Sequence, residues 1–138
     1  MAHFTGSDSF FSQSILMAKT RILISTHGMV LAQSMYMEPG GVVMELNGYQ
    51  FNYPLYQRIV ANYGHYYMRH EVALVDSKIQ GFNTSFDPYA GSNFQNCSKS
   101  NCYADRRDAD IRVQTNDWRR MIQQAIALVS SETVPPSA

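Results

Sequence analysis

Short runs of branched apolar residues alternate along this chain with stretches that repeat at helical spacing. Ser9 stands where it can cap a helix over Phe10 to Thr20, with Phe11, Ile15 and Ala18 on one face. Arg21 to Ser25 follows, and its unbroken Ile22, Leu23 and Ile24 mark a strand covered on both sides. His27 and Gly28 form the turn into a second helix, Met29 to Met37, with Met29, Ala32 and Tyr36 in register. Pro39, Gly40 and Gly41 stop that helix, and Val42 to Leu46 is another buried strand. Strand, helix and strand within about 25 residues is the size of one right-handed crossover unit.

Pro54 opens a third helix with Leu55, Ile59 and Tyr63 at helical spacing, and Gly64 is its stop. A third strand lies within His65 to Val75, with Tyr67, Val72 and Leu74 as inward positions. From Asp76 to Ala104 periodicity gives way to Ser, Asn, Gly and Asp, the texture of a functional loop or an insertion. Ile111 and Val113 suit a short edge strand. Thr115 to Asp117 cap a last helix, whose stripe is Trp118, Ile122, Ala125, Ile126 and Val129. The predicted fold class is α/β: a partial Rossmann-like parallel sheet flanked by helices. One domain spans residues 1–130 with a polar loop at 76–104, and a flexible tail covers 131–138.

Composition narrows the function without naming it. A chain of 138 residues fits one domain, and 45% hydrophobic with 16% charged residues argues against wholesale disorder. Eleven basic residues balance eleven acidic ones, so no electrostatic capture of nucleic acid or of a membrane surface is expected. No run approaches the ~20 mostly apolar residues of a membrane span, and no leader pattern opens the chain. Two Cys cannot make a four-Cys zinc site, and no His lies beyond His70, so no metal is expected.

Chemistry concentrates at the first turn. In an open parallel sheet, ligands sit outside the carboxyl ends of the strands, where His27 and Gly28 fall. Glycine lets a ligand approach the backbone, and the helix start offers unpaired N–H groups. A diphosphate suits such a place, with His27 donating to a phosphate oxygen when the correct ring nitrogen bears hydrogen. Glu45, ending the next strand at the same edge, can accept from a ribose or sugar hydroxyl. A bare His–Gly pair is more often an ordinary turn, with Glu45 a solvated strand end.

The stretch Arg21 to Leu46 resembles the C-terminal region of glycosyltransferase family 61. That family carries an apolar strand, a His–Gly turn, a Leu three residues on, a helix, a Pro–Gly stop and a Val-Val-x-Glu-Leu strand. Here these are Ile22 to Ile24, His27 and Gly28, Leu31, Pro39 and Gly40, and Val42 to Leu46. Ser9, Phe10, Gln13, Leu16 and Met17 look like the family's preceding helix, and Tyr53 to Tyr67 and Asp108 to Val113 follow the plan more loosely. The family has small residues after the His–Gly turn and a Thr or Asn beyond the Leu, where this chain has Met29, Val30, Ala32 and Gln33.

The resemblance implies part of the donor half of a GT-B enzyme, in the Golgi or ER lumen. It implies inverting transfer from a UDP-sugar to a glycan or glycoprotein hydroxyl, without a cofactor or an obligatory metal. The nucleotide-sugar residues it implies are Thr26, His27, Gly28, Leu31 and Glu45. The other reading is a truncated, non-catalytic copy serving as a nucleotide-binding or protein-interaction module, with exposed apolar surface and self-association.

Further candidates are less directed. Cys97 and Cys102 make a small disulfide loop in a secretory chain, or two thiols in a cytosolic one. Asn83 and Asn96 match the N-glycosylation pattern about as often as chance allows. Tyr49, Phe51, Tyr53, Tyr56, Tyr63, Tyr66 and Tyr67 can stack on a sugar or a base, or simply pack. His65 and His70 lack a carboxylate partner by spacing, and nothing in the pattern selects Glu71 or Asp76 as a general base.

Overall fold

The computed structural model describes residues 8–73, 76–78 and 101–131. In chain order these form α1 (Phe10–Ala18), β1 (Ile22–Thr26), a 3₁₀ helix (Met29–Tyr36), β2 (Val42–Asn47), α2 (Leu55–Asn62) and β3 (Tyr66–Glu71). They continue with β4 (Ser77–Lys78), α3 (Asn101–Arg107), β5 (Asp110–Ile111) and α4 (Thr115–Ser130). Strands β1, β2 and β3 make a parallel sheet in that order, with Ile22 beside Val42 and Val42 beside Tyr66. Strands β4 and β5 form a short antiparallel ribbon.

Alternation along β2 divides the core. Val43 faces one side with Met17, Leu23, Leu31, Met37, Tyr56 and Val60, so α1, the 3₁₀ helix and α2 cover that face. Val42 and Met44 face the other side, against Met121 and Ala125 of α4. Each fully buried Leu or Val here contributes about 1.5–3 kcal/mol over an exposed one. The result is a small α/β unit of generic Rossmann-like topology, as the strand pattern predicts.

Helix termini follow the predicted chemistry at two points. The Ser9 side chain accepts from the Ser12 N–H at 3.2 Å, capping α1. Gly64 closes α2 at φ +71°, a left-handed conformation that glycine adopts without a Cβ penalty.

The buried faces of the helices depart from prediction. Phe11 and Ile15 are exposed, at 73% and 42%, and α1 enters the core through Met17 instead. The segment after Gly28 is not α-helical: three residues per turn bury Leu31, Ser34 and Met37 and leave Met29 and Tyr36 exposed. Helix α2 buries Tyr56 and Val60 while Leu55 and Tyr63 stay outside. Helix α4 buries Met121 and Ala125 with Ile126 half exposed, and Gln114 stands at its N-cap without a side-chain bond to the helix's first turn. The span predicted as a loop from Asp76 to Ala104 holds β4 and the start of α3. Leu74, Asn83, Asn96 and Cys97 lie outside the described residues, as do the side chain of Cys102 and the tail from 132 onward.

Candidate functional site

Parallel pairing brings the carboxyl ends of β1 and β2 side by side, with Ser25 in register with Glu45. His27, two residues past Ser25, therefore reaches Glu45 across the strand gap. The imidazole Nδ1 meets Glu45 Oε1, and the two side chains are 6% and 0% exposed. Tyr67 of β3 donates its hydroxyl to Glu45 Oε2. The Asn47 amide, turned to satisfy both of its ends, donates to Glu45 Oε1 and to the Leu46 carbonyl, each at 3.2 Å. Three donors thus converge on one buried carboxylate, the arrangement a buried charge requires.

Burial pushes the Tyr67 phenol far above its ordinary value, and the bond to Glu45 and that group's charge add to the effect. Tyr67 therefore stays protonated and acts as a donor. With Nδ1 committed to Glu45, Nε2 on the far side of the His27 ring is the nitrogen not engaged among the described residues.

Aromatic edges frame that ring. Phe51 and Tyr56 stand 4.7 and 4.8 Å from the imidazole by ring centres, and Tyr53 stands at 5.9 Å, all edge-on. Phe51 and Tyr53 come from the loop between β2 and α2, which is fixed at several points. The Tyr49 N–H donates to Ser77 Oγ at 3.1 Å, and the Gln50 N–H donates to Glu71 Oε1 at 2.8 Å. Gln50 itself takes φ +54°, a strained value outside glycine, and buried Arg106 donates to its side-chain oxygen at 2.8 Å. Arg69, exposed and in register with Glu45, bonds to Asn52 of the same loop.

The sequence-predicted residues part ways here. Thr26 is exposed at the end of β1, next to His27. Gly28 is open, with nothing within 4 Å of where a Cβ would stand, and its backbone is extended, so the position offers room rather than an unusual turn. No side chain caps the 3₁₀ helix, which leaves the Met29 and Val30 N–H groups without intrahelical partners. Leu31 is fully buried in the core, and its part is packing. Both Glu45 oxygens are engaged inside the fold, so Glu45 holds His27 rather than meeting a ribose at the edge. Glu71 and Asp76, weighed as bases, accept from the Gln50 N–H and from Gln114 Nε2.

Asn47 and Arg106 carried no local signal in the sequence, since only strand register and loop closure bring them in. Among the described residues no three His, Cys, Asp or Glu side chains gather as a metal site, and no helix is long and apolar enough to cross a membrane. A hollow of about 490 Å³ on the outer face of α2 is lined by Pro54, Gln57, Arg58, Ala61 and Asn62 and includes none of these groups. No protein-family model matches the chain, and no curated protein matches it.

Proposed function

We propose that this chain carries the donor side of a UDP-sugar-dependent glycosyltransferase of the family 61 kind, with the diphosphate seated against the His27–Gly28 turn. The observation that carries the reading is the His27–Glu45 contact at the carboxyl edge of a parallel sheet, which fixes the ring at the turn next to open Gly28. Exposed Thr26 and the uncapped N–H groups of Met29 and Val30 add donors at the same turn. In transfer, the acceptor hydroxyl oxygen bonds to the anomeric carbon as the bond from that carbon to the β-phosphate oxygen breaks, and the hydroxyl proton leaves with UDP as the other product. Donors placed on the departing phosphate stabilise the charge it gains.

The test is a calorimetric titration with UDP of the wild-type chain and of His27→Ala, each first shown to be folded by circular dichroism. Binding that weakens at least tenfold, about 1.4 kcal/mol, in the variant supports the reading. No binding by the folded wild type would end it.

One feature favours a protein-interaction module as the second reading. Phe10, Phe11 and Ile15 leave α1 with an exposed apolar face, 65% open at Phe10, and Phe10 stacks edge-on against Tyr36 at 5.7 Å. Concentration-dependent association without nucleotide binding would favour that reading.

A further inference from the structure

We infer that the outer face of α1 is the contact of a reversible twofold dimer, an inference that rests on the protein-interaction reading above and not on the diphosphate site. Phe11, Ile15 and Ala18 recur at the helical spacing that marks a covered stripe, and all three are exposed in the single chain. Met17, on another side of the helix, is what α1 gives to the core. Phe10 and Tyr36 continue the apolar surface beside the stripe, ring against ring. A periodic face is thus present, and the described residues of the same chain leave it open.

A second copy fits that face by shape and by charge. The stripe is large at one end, Phe11, and small at the other, Ala18. A copy turned end for end lays each ring against the other's alanine, with Ser14 and Ile15 near the axis. The same turn sets exposed Lys19 level with Phe10 of the other copy, about 3 Å along the axis from the level of Asp8. No charge lies within Phe10–Ala18 and the chain as a whole is neutral, so repulsion does not oppose the pair. Arg21, the next cation after Lys19, pairs with Glu38 at 3.6 Å, which leaves little to draw an anionic lipid surface. Phe10, Phe11, Ile15 and Tyr36 expose about 450 Å² per copy, taking about 200 Å² for a full aromatic side chain. A pair that covers this surface buries about 900 Å², below the ~1,200 Å² of stable complexes, so the dimer comes apart readily.

The experiment is sedimentation velocity on the whole chain between about 1 and 500 μM, with variants first shown to be folded by circular dichroism. The wild type is expected to pass from monomer to dimer, and Phe11→Ala to raise the dissociation constant at least tenfold. Ala18→Phe sets ring against ring and should not tighten the dimer. Phe11→Ala combined with Ala18→Phe restores large against small, and should return the constant to within about threefold of wild type. Tightening by Ala18→Phe alone, or no recovery in the folded double variant, overturns the twofold pairing. Association that Phe11→Ala leaves unchanged overturns the inference while an interaction module stands on another face. A wild type that stays monomeric throughout overturns both, and flotation of that monomer with phosphatidylcholine vesicles would assign the face to a lipid surface instead.

Discussion

Eighteen positions separate His27 from Glu45 along the chain, and the carboxylate of one receives the ring hydrogen of the other. The contact exists because β1 and β2 run parallel with Ser25 beside Glu45, so it reports on the fold and on the site together. Removing Glu45 should therefore be costly. Glu45→Ala strands the His27 ring, the Tyr67 hydroxyl and the Asn47 amide, and should destabilise the chain by about 3–5 kcal/mol. Glu45→Gln retains an acceptor but faces one donor with another, and about 1–3 kcal/mol is expected. Urea unfolding with an unchanged slope measures both.

Acid should weaken the fold through His65. Its side chain is nearly enclosed, Nε2 bonds to the Ser34 carbonyl at 2.9 Å, and burial holds its pKa below the ordinary 6.5 against the opposing effect of that bond. The unfolded chain thus binds a proton before the folded one does. Stability is full above pH 6.5 and is lost as pH falls from 6.5 toward the lower folded value. Unfolding free energy measured across that window should decline, and His65→Gln, which keeps an amide donor for Ser34, should decline less.

Two glycines should answer alanine in opposite ways. A Cβ at Gly48 would lie 2.8 Å from the Arg106 carbonyl oxygen and 3.1 Å from Ser77 Oγ, so Gly48→Ala should cost about 1–3 kcal/mol through overpacking. Gly28→Ala meets open space on an extended backbone and should leave stability within about 0.5 kcal/mol. Its methyl group nevertheless stands where the diphosphate is proposed to lie, so UDP affinity should fall while the melting curve does not move.

The exposed face of α1 separates surface from core on one helix. Phe11→Ser should leave stability within about 0.5 kcal/mol and reduce self-association in sedimentation velocity runs. Met17→Ala, on the buried side, should cost about 2–5 kcal/mol.

The strands and several helix ends were legible because their signals are local. Ile22 to Ile24 and Val42 to Met44 are apolar without interruption, as strands covered on both faces must be, and Ser9 and Gly64 act through their own short range. The buried faces were not. Reading Met29 to Met37 with a 3.6-residue period selects Met29, Ala32 and Tyr36, whereas a 3₁₀ helix buries every third residue, polar Ser34 included. Phe11 and Ile15 show that an apolar side chain carries no instruction about which neighbour will cover it.

The same limit applies at the site. His27 and Gly28 could be placed at the sheet edge from their position after an apolar run. The pattern makes Glu45 a strand end, but β2 continues to Asn47, which draws Glu45 inside the ladder and turns it toward His27 and Tyr67. That outcome depends on the register of three strands, a long-range property.

The most direct measurement is the imidazole nitrogen spectrum of His27, recorded on ¹⁵N-histidine-labelled protein during UDP addition and assigned with His27→Gln. UDP bound at this turn should move the His27 Nε2 signal saturably while Nδ1 keeps its hydrogen-bonded signature. Saturable UDP binding that leaves both nitrogens of His27 unmoved would place the diphosphate elsewhere and contradict it.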